Sequence, residues 1–211
     1  MRDERMAVNF RMLLDSCAEH SCGNGFQRTK NSIWRVIDDV YHLIDFQVGS
    51  HGENYFFVNI AIHPIGLPML VGPGLEIRDR PREFECAIRC RIEDVSQSSI
   101  AKWCRFALMS DIDQGLIDSL VNCLDSDVES WFRSCGTLQY LAHVPQSEIL
   151  PFMTAVPAVE LKAHALLACY CRCRVGDTRN AQKHYQRYLS APSGGYEFPA
   201  VDEFLGRLIK G

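Results

Sequence analysis

The residues best suited to chemistry in this chain are its cysteines and histidines, ten and seven in number. The densest group is CYCRC at 169–173. On a helix, Cys169 and Cys173 share a face while Cys171 points away. A second group, CAEHSC at 17–22, offers Cys17, His20 and Cys22. A structural zinc site needs four convergent ligands, usually with a close cysteine pair on a turn. Nothing in the sequence brings the two groups together, so no metal is expected. A Cys–His nucleophilic pair has no local signature here. The chain holds no G-x-S-x-G, P-loop, G-x-G-x-x-G or H-E-x-x-H. GLPMLVGPG at 66–74 lacks the lysine and helix start that phosphate binding needs. Glu83 and Glu85, two apart, read as neighbours on the solvent face of a strand without an evident partner. Gln47 and Asn59 flank a turn, where they are expected to satisfy backbone groups. No catalytic, cofactor-binding or metal-ligating residue is therefore assigned.

Charge is more informative. The formal net charge is −4, which disfavours generic nucleic-acid binding through a basic surface. Residues 110–130 carry Asp111, Asp113, Asp118, Asp125, Asp127 and Glu129 and no Lys or Arg. Asp111, Asp118, Asp125 and Glu129 recur at spacings of seven, seven and four, which places them on one helix face opposite the apolar stripe. Such a face would steer a basic protein partner. Two basic groups balance it: Arg78, Arg80, Arg82, Arg89 and Arg91, then Arg172, Arg174, Arg179, Lys183 and Arg187.

These residues need elements to hold them. Met6, Phe10, Leu13, Leu14 and Cys17 predict a helix over 5–19, ended by CGNG at 22–25. Four strands are expected at 26–37, 40–47, 55–62 and 84–92, with a turn at Asp38-Asp39 and another over 48–54. The Pro- and Gly-rich stretch 63–82 reads as a long loop. Helices are expected at 98–109, from Ser110/Asp113 to about 134, at 146–154, at 158–174 and 178–190 as a hairpin, and at 199–209. In the helix to 134, Ile117, Leu120, Val121, Leu124, Val128 and Trp131 form the apolar stripe. Strands grouped first and helices after give an α+β class: an N-terminal helix, a four-stranded antiparallel sheet, then a helical region. The expected division is residues 1–96 as an α+β domain, with 97–211 as helices packed on it. The N-terminus lacks the apolar core of a secretory signal, and no run is long enough for a membrane span. Reduced cysteines in a cytosolic protein follow.

The first half resembles the bacterial DUF4304 family, a domain of unknown function. The N-terminal amphipathic helix, GFQR at 25–28, DFQVGS at 45–50 and YFFVNIAI at 55–62 carry the likeness. Phe46, Gln47, Asn59 and Ile62 occupy the family's strand positions, and Gly49 intervenes before Ser50. The resemblance spans about the first 95 residues. It implies an α+β domain, no known catalytic residues, and interaction or immunity roles in some bacterial settings. Residues 168–189 resemble one tetratricopeptide-type unit, with Gly176-Asp177, Ala181 and Tyr185 in place, Tyr188 where a small residue is expected, and no second copy.

Together these readings point to a non-enzymatic protein-binding module, a bacterial immunity protein that occludes a basic toxin domain, with Asp111, Asp118, Asp125 and Glu129 as its contact residues. The alternatives are an enzyme with a pocket under the 63–82 loop, or a regulatory scaffold using the helical hairpin.

Overall fold

The structure, a computed structural model, describes residues 2–49, 55–98, 113–153, 155 and 157–210. It is α+β, as the grouping of strands before helices requires. Helix α1 (Arg2–Cys22) leads into β1 (Gln27–Thr29), β2 (Ser32–Ile37), β3 (Val40–Val48) and β4 (Phe56–Pro64). A two-residue ribbon, β5 (Pro68–Met69) and β6 (Glu76–Ile77), follows, then β7 (Ile88–Arg91). The main sheet is antiparallel with five strands in the order β1-β2-β3-β4-β7, one strand more than expected. The stretch 26–37 makes two strands because Lys30 adopts φ +50° and turns the chain, with Thr29 opposite Ser32. No glycine announces that turn. At Asp38-Asp39 both residues take positive φ, +48° and +61°, the backbone that matches the twist of a two-residue hairpin.

The fourth expected strand shrinks to Ile88–Arg91. Residues Glu83–Glu85 form a 3-10 turn, and Phe84 is exposed rather than inward. Alternation across 84–92 therefore reflects a turn followed by a short strand. The remaining helices are α2 (Ile92–Val95), α3 (Gln114–Cys123), α4 (Glu129–Cys135), α5 (Leu138–His143), α6 (Gln146–Ile149), α7 (Glu160–Arg174), α8 (Thr178–Ser190) and α9 (Pro199–Lys210). The expected helix over 98–109 and the turn at 50–54 lie outside the described residues. Gly49 N–H nevertheless donates to the Tyr55 carbonyl at 2.9 Å, across the turn. Among the described residues no helix is long and apolar enough to cross a membrane.

By contact density the chain forms two compact units, interleaved in sequence, where a single division after residue 96 was expected. One comprises Met1–Arg35, His42–Ala61 and Cys90–Arg133. Its core collects Leu13, Leu14 and Cys17 of α1, Phe46 and Phe56 of the strands, and Leu120, Val128 and Phe132 of the α3–α4 segment. Asp113 caps α3 by accepting the Leu116 N–H at 2.8 Å, while Ser110 lies outside the described residues. The other unit comprises Val36–Tyr41, Ile62–Arg89 and Ser134–Gly211. In it α7 is buried almost all round from Lys162 to Cys171, lying among α5, α8 and α9. Asp177 caps α8, and Tyr188, fully buried, donates its hydroxyl to Asp202 at 2.7 Å.

Candidate functional site

Of the acidic residues expected on one face, Glu129 leaves it for the interior. Asp111 lies outside the described residues. Asp118 is exposed on α3 and accepts from Gln114 Nε2 at 2.7 Å. Asp125 is engaged by His20 and by Asn24 Nδ2, the latter at 3.1 Å. Glu129 is buried, paired with Arg35 at 2.7 Å and with Arg133 at 3.0 Å.

The cause is a π turn at Leu124–Val128, which joins α3 to α4. It inserts about one residue into the helical count. At about 100° per residue, Glu129 then swings from roughly 140° to roughly 40° away from Leu124, onto the buried face. The same shift brings Phe132, fully buried, into the place expected for the half-buried Trp131. Arg35 on β2 completes the arrangement. Its guanidinium lies 4.4 Å from the Phe26 ring centre, and its Nε donates to His42 Nδ1 at 3.3 Å. His42 stacks on Phe132 at 4.5 Å. This is a cation enclosed by aromatic faces and a carboxylate, an assembly that anchors a helix.

Gln47 and Asn59 bond each other, Asn59 Nδ2 donating to Gln47 Oε1 at 3.1 Å, rather than only serving the backbone. The thiols of Cys169 and Cys173 are hydrogen-bonded across one turn of α7, and burial pushes the Cys171 thiol up. Burial likewise pushes Cys17 up to about 12. Among the described residues no three His, Cys, Asp or Glu side chains converge as a metal site would require. Glu83 and Glu85 are not the unpartnered strand pair expected: Glu83 is buried against Arg89, and Glu85 pairs with Arg78 and accepts the Arg82 N–H at 2.8 Å.

The feature with the makings of a site lies in the unit that carries α7. A cavity of about 230 Å³ opens beneath the 63–71 segment. Leu67, Met69 and Val71 roof it, Phe84 and Cys86 form one side, and Ala163, Leu166 and Leu167 of α7 form the floor. Val71 and Phe84 are each 56% exposed, so the mouth is open and apolar. The roof is tied down at its start. Tyr170 donates its hydroxyl to the Ile65 carbonyl at 2.6 Å, and Arg174 pairs with Asp39 at 2.6 Å. Gly66, at φ +84°, leaves the space that the Tyr170 hydroxyl fills.

Among the described residues, the lining includes two titratable polar residues, Glu85 and His63. His63, near the end of β4, is 1% exposed. Its Nδ1 accepts the Ala87 N–H at 3.2 Å, which fixes the remaining proton on Nε2. Nε2 has no hydrogen-bond partner. Burial pushes the ring down to about 4, outweighing the Leu67 backbone and the Glu85 charge, which favour the protonated form. The site thus combines an apolar volume with a neutral, buried histidine and a carboxylate that shares Arg78 with Glu76.

A family model described as a domain of unknown function (DUF4304) matches residues 22–134, more than half of the chain. The chain belongs to the DUF4304 family. No curated protein and no solved structure matches it significantly. The DUF4304 match begins at residue 22, so α1, expected to carry part of the likeness, lies outside it but for its last residue, and it runs past the 95 residues expected, through α3 and most of α4. It takes in both members of the Arg35–Glu129 pair and, at the cavity, His63 and Ala87. Ala163, Leu166 and Leu167 lie beyond it. Sequence reasoning missed His63 because neither its partner Ala87 nor the α7 floor is near it in the chain. Only the position of the 63–82 loop hinted at a pocket.

Proposed function

We propose that this chain works by binding, and that the cavity beneath residues 63–71 is its site. The observation that carries this reading is a cavity of about 230 Å³ lined mostly by apolar side chains, with His63 and Glu85 among its lining residues. Binding sites characteristically combine an apolar concavity with a few placed polar groups. An apolar cavity of about 150 Å³ accepts a benzene, so about 230 Å³ suits a substituted aromatic ring or a short branched chain. The test is an amide NMR titration with toluene. Resonances of Met69, Ala87 and Leu166 should shift and saturate, and Ala163→Phe, which fills the floor with a ring, should abolish the response. No shift in the unmodified chain, or an undiminished response in Ala163→Phe, would remove the cavity from the reading.

A second reading is a bacterial, cytosolic immunity protein that occludes a basic toxin domain. What supports it is the exposed Asp118, in a stretch with no Lys or Arg between Arg105 and Arg133. Asp125 and Glu129 are engaged within the fold, so Asp118 is the residue to change. Capture from producing cells should recover a basic protein that Asp118→Lys fails to hold; equal recovery by both would exclude α3 as the contact.

A further inference from the structure

We infer that the α7–α8 hairpin is an acid-operated joint, in which proton uptake at His164 and His184 parts α8 from α7 while the rest of the chain stays folded. His164 of α7 and His184 of α8 meet edge to face across the hairpin, their ring centres 6.3 Å apart. His164 is 6% exposed. One nitrogen of each ring, His164 Nε2 and His184 Nδ1, is enclosed without a hydrogen-bond partner. A charged imidazole must donate from both nitrogens, so neither ring can carry charge in the closed hairpin without stranding a donor. The surrounding charges act in the same direction. Burial resists charge on both rings first; Arg187 of α8 adds to it at both, and Arg172 of α7 at His184. Lys162, in the first turn of α7, donates to the Tyr188 carbonyl at 2.8 Å. The acids nearby are already engaged. Asp177 draws His184 toward the charged form, but it caps α8, pairs with Arg172 and accepts from Asn180 Nδ2 at 3.0 Å, with His143 of α5 at 3.8 Å. Asp202 of α9 accepts the Tyr188 hydroxyl at 2.7 Å. Protonation would thus set two new positive charges beside each other and beside two arginines. Parting α8 from α7 gives both rings to water and relieves the conflict, at a smaller cost than global unfolding.

Native-state amide exchange of the whole chain tests this, at pH 7.5 and pH 5 over a series of low urea concentrations. Rates are expressed as protection factors, so that the intrinsic pH dependence of exchange cancels. The joint is closed above about pH 6.5, the ordinary histidine value, and loosens as the pH falls below it. Between pH 7.5 and pH 5 protection in α8 should drop about thirtyfold through His184 alone, which is pushed down to about 4 in the fold. At pH 5 the α8 amides should exchange faster than those of α1 and β3 and respond only slightly to urea, the mark of an opening that exposes little surface. His164→Gln combined with His184→Gln should remove the extra exchange at pH 5. Protection in α8 that is equal at the two pH values would overturn the inference. So would α8 amides that share the rates and urea dependence of β3 at pH 5, since acid would then act only through global unfolding. The unmodified chain decides both outcomes, whether or not the double variant folds.

Discussion

Glu129 shows how far one side chain's role depends on a single inserted residue. In the sequence it is the last of a row of carboxylates; in the fold it is 8% exposed and holds Arg35 at 2.7 Å. Removing one member of a buried pair strands the other's charge, at a cost of about 3–5 kcal/mol. Glu129→Leu should therefore lower the urea midpoint substantially. Arg35→Met combined with Glu129→Leu should recover much of that loss, since neither charge is then left alone. A double variant as weak as the sum of the singles would mean that the pair is not coupled. Neither role was legible beforehand. A π turn carries no compositional mark, and an arginine within a short strand reads as a solvent-facing residue. Asp113 was legible as part of a helix start, but as the third-residue partner of Ser110 in a capping box, whereas it is the N-cap itself.

At the scale of elements, periodic segments were read well and short ones poorly. The hairpin expected at 158–174 and 178–190 is observed as α7 (Glu160–Arg174) and α8 (Thr178–Ser190). Helices of that length repeat their pattern several times. Helix α5 has six residues and was missed, while the 146–154 helix stops at Ile149 and continues as a 3-10 turn, Leu150–Phe152. The cavity roof is an element of a different kind, held by contacts and not by a ladder. A methyl group at Gly66 would sit 2.6 Å from the Tyr170 hydroxyl, at φ +84° where L-residues are strained. Gly66→Ala should thus cost about 1–3 kcal/mol and speed amide exchange in residues 64–71 selectively. Tyr170→Phe, which removes the bond to the Ile65 carbonyl and the acceptor of Arg174 Nη1 at 2.9 Å, should cost about 1–3 kcal/mol and loosen the same segment. Uniform exchange along the chain in either variant would show that the roof does not depend on this latch.

For the whole molecule, three histidines set the behaviour in acid. Burial pushes His63 and His184 down to about 4 and lowers His164 as well; Arg172 and Arg187 add to the effect at His184, and Arg187 at His164. The unfolded chain takes up protons at these groups near the ordinary histidine value of about 6.5, while the folded chain resists, at His63 and His184 until near 4. Stability should be complete above about pH 6.5 and fall as the pH is lowered toward 4, with His63 alone worth about 3 kcal/mol across that window. Urea midpoints at about pH 7.5 and pH 5 test it, and equal midpoints would refute it. The fold class was legible because it needs only the order of periodic segments. The cavity was not, because its walls come from 63–71, 84–87 and 153–167, and no pattern within one stretch encodes the meeting of three.

That division of the walls has an evolutionary side. The segment shared with the family, residues 22–134, contributes the histidine and the roof, while the α7 floor is written in sequence outside it. Drift confined to the C-terminal half can recontour the cavity without touching His63 or the roof. Proteins alike across the shared segment can then differ in the shape of the hollow beneath it, because the family region carries the roof but not the floor.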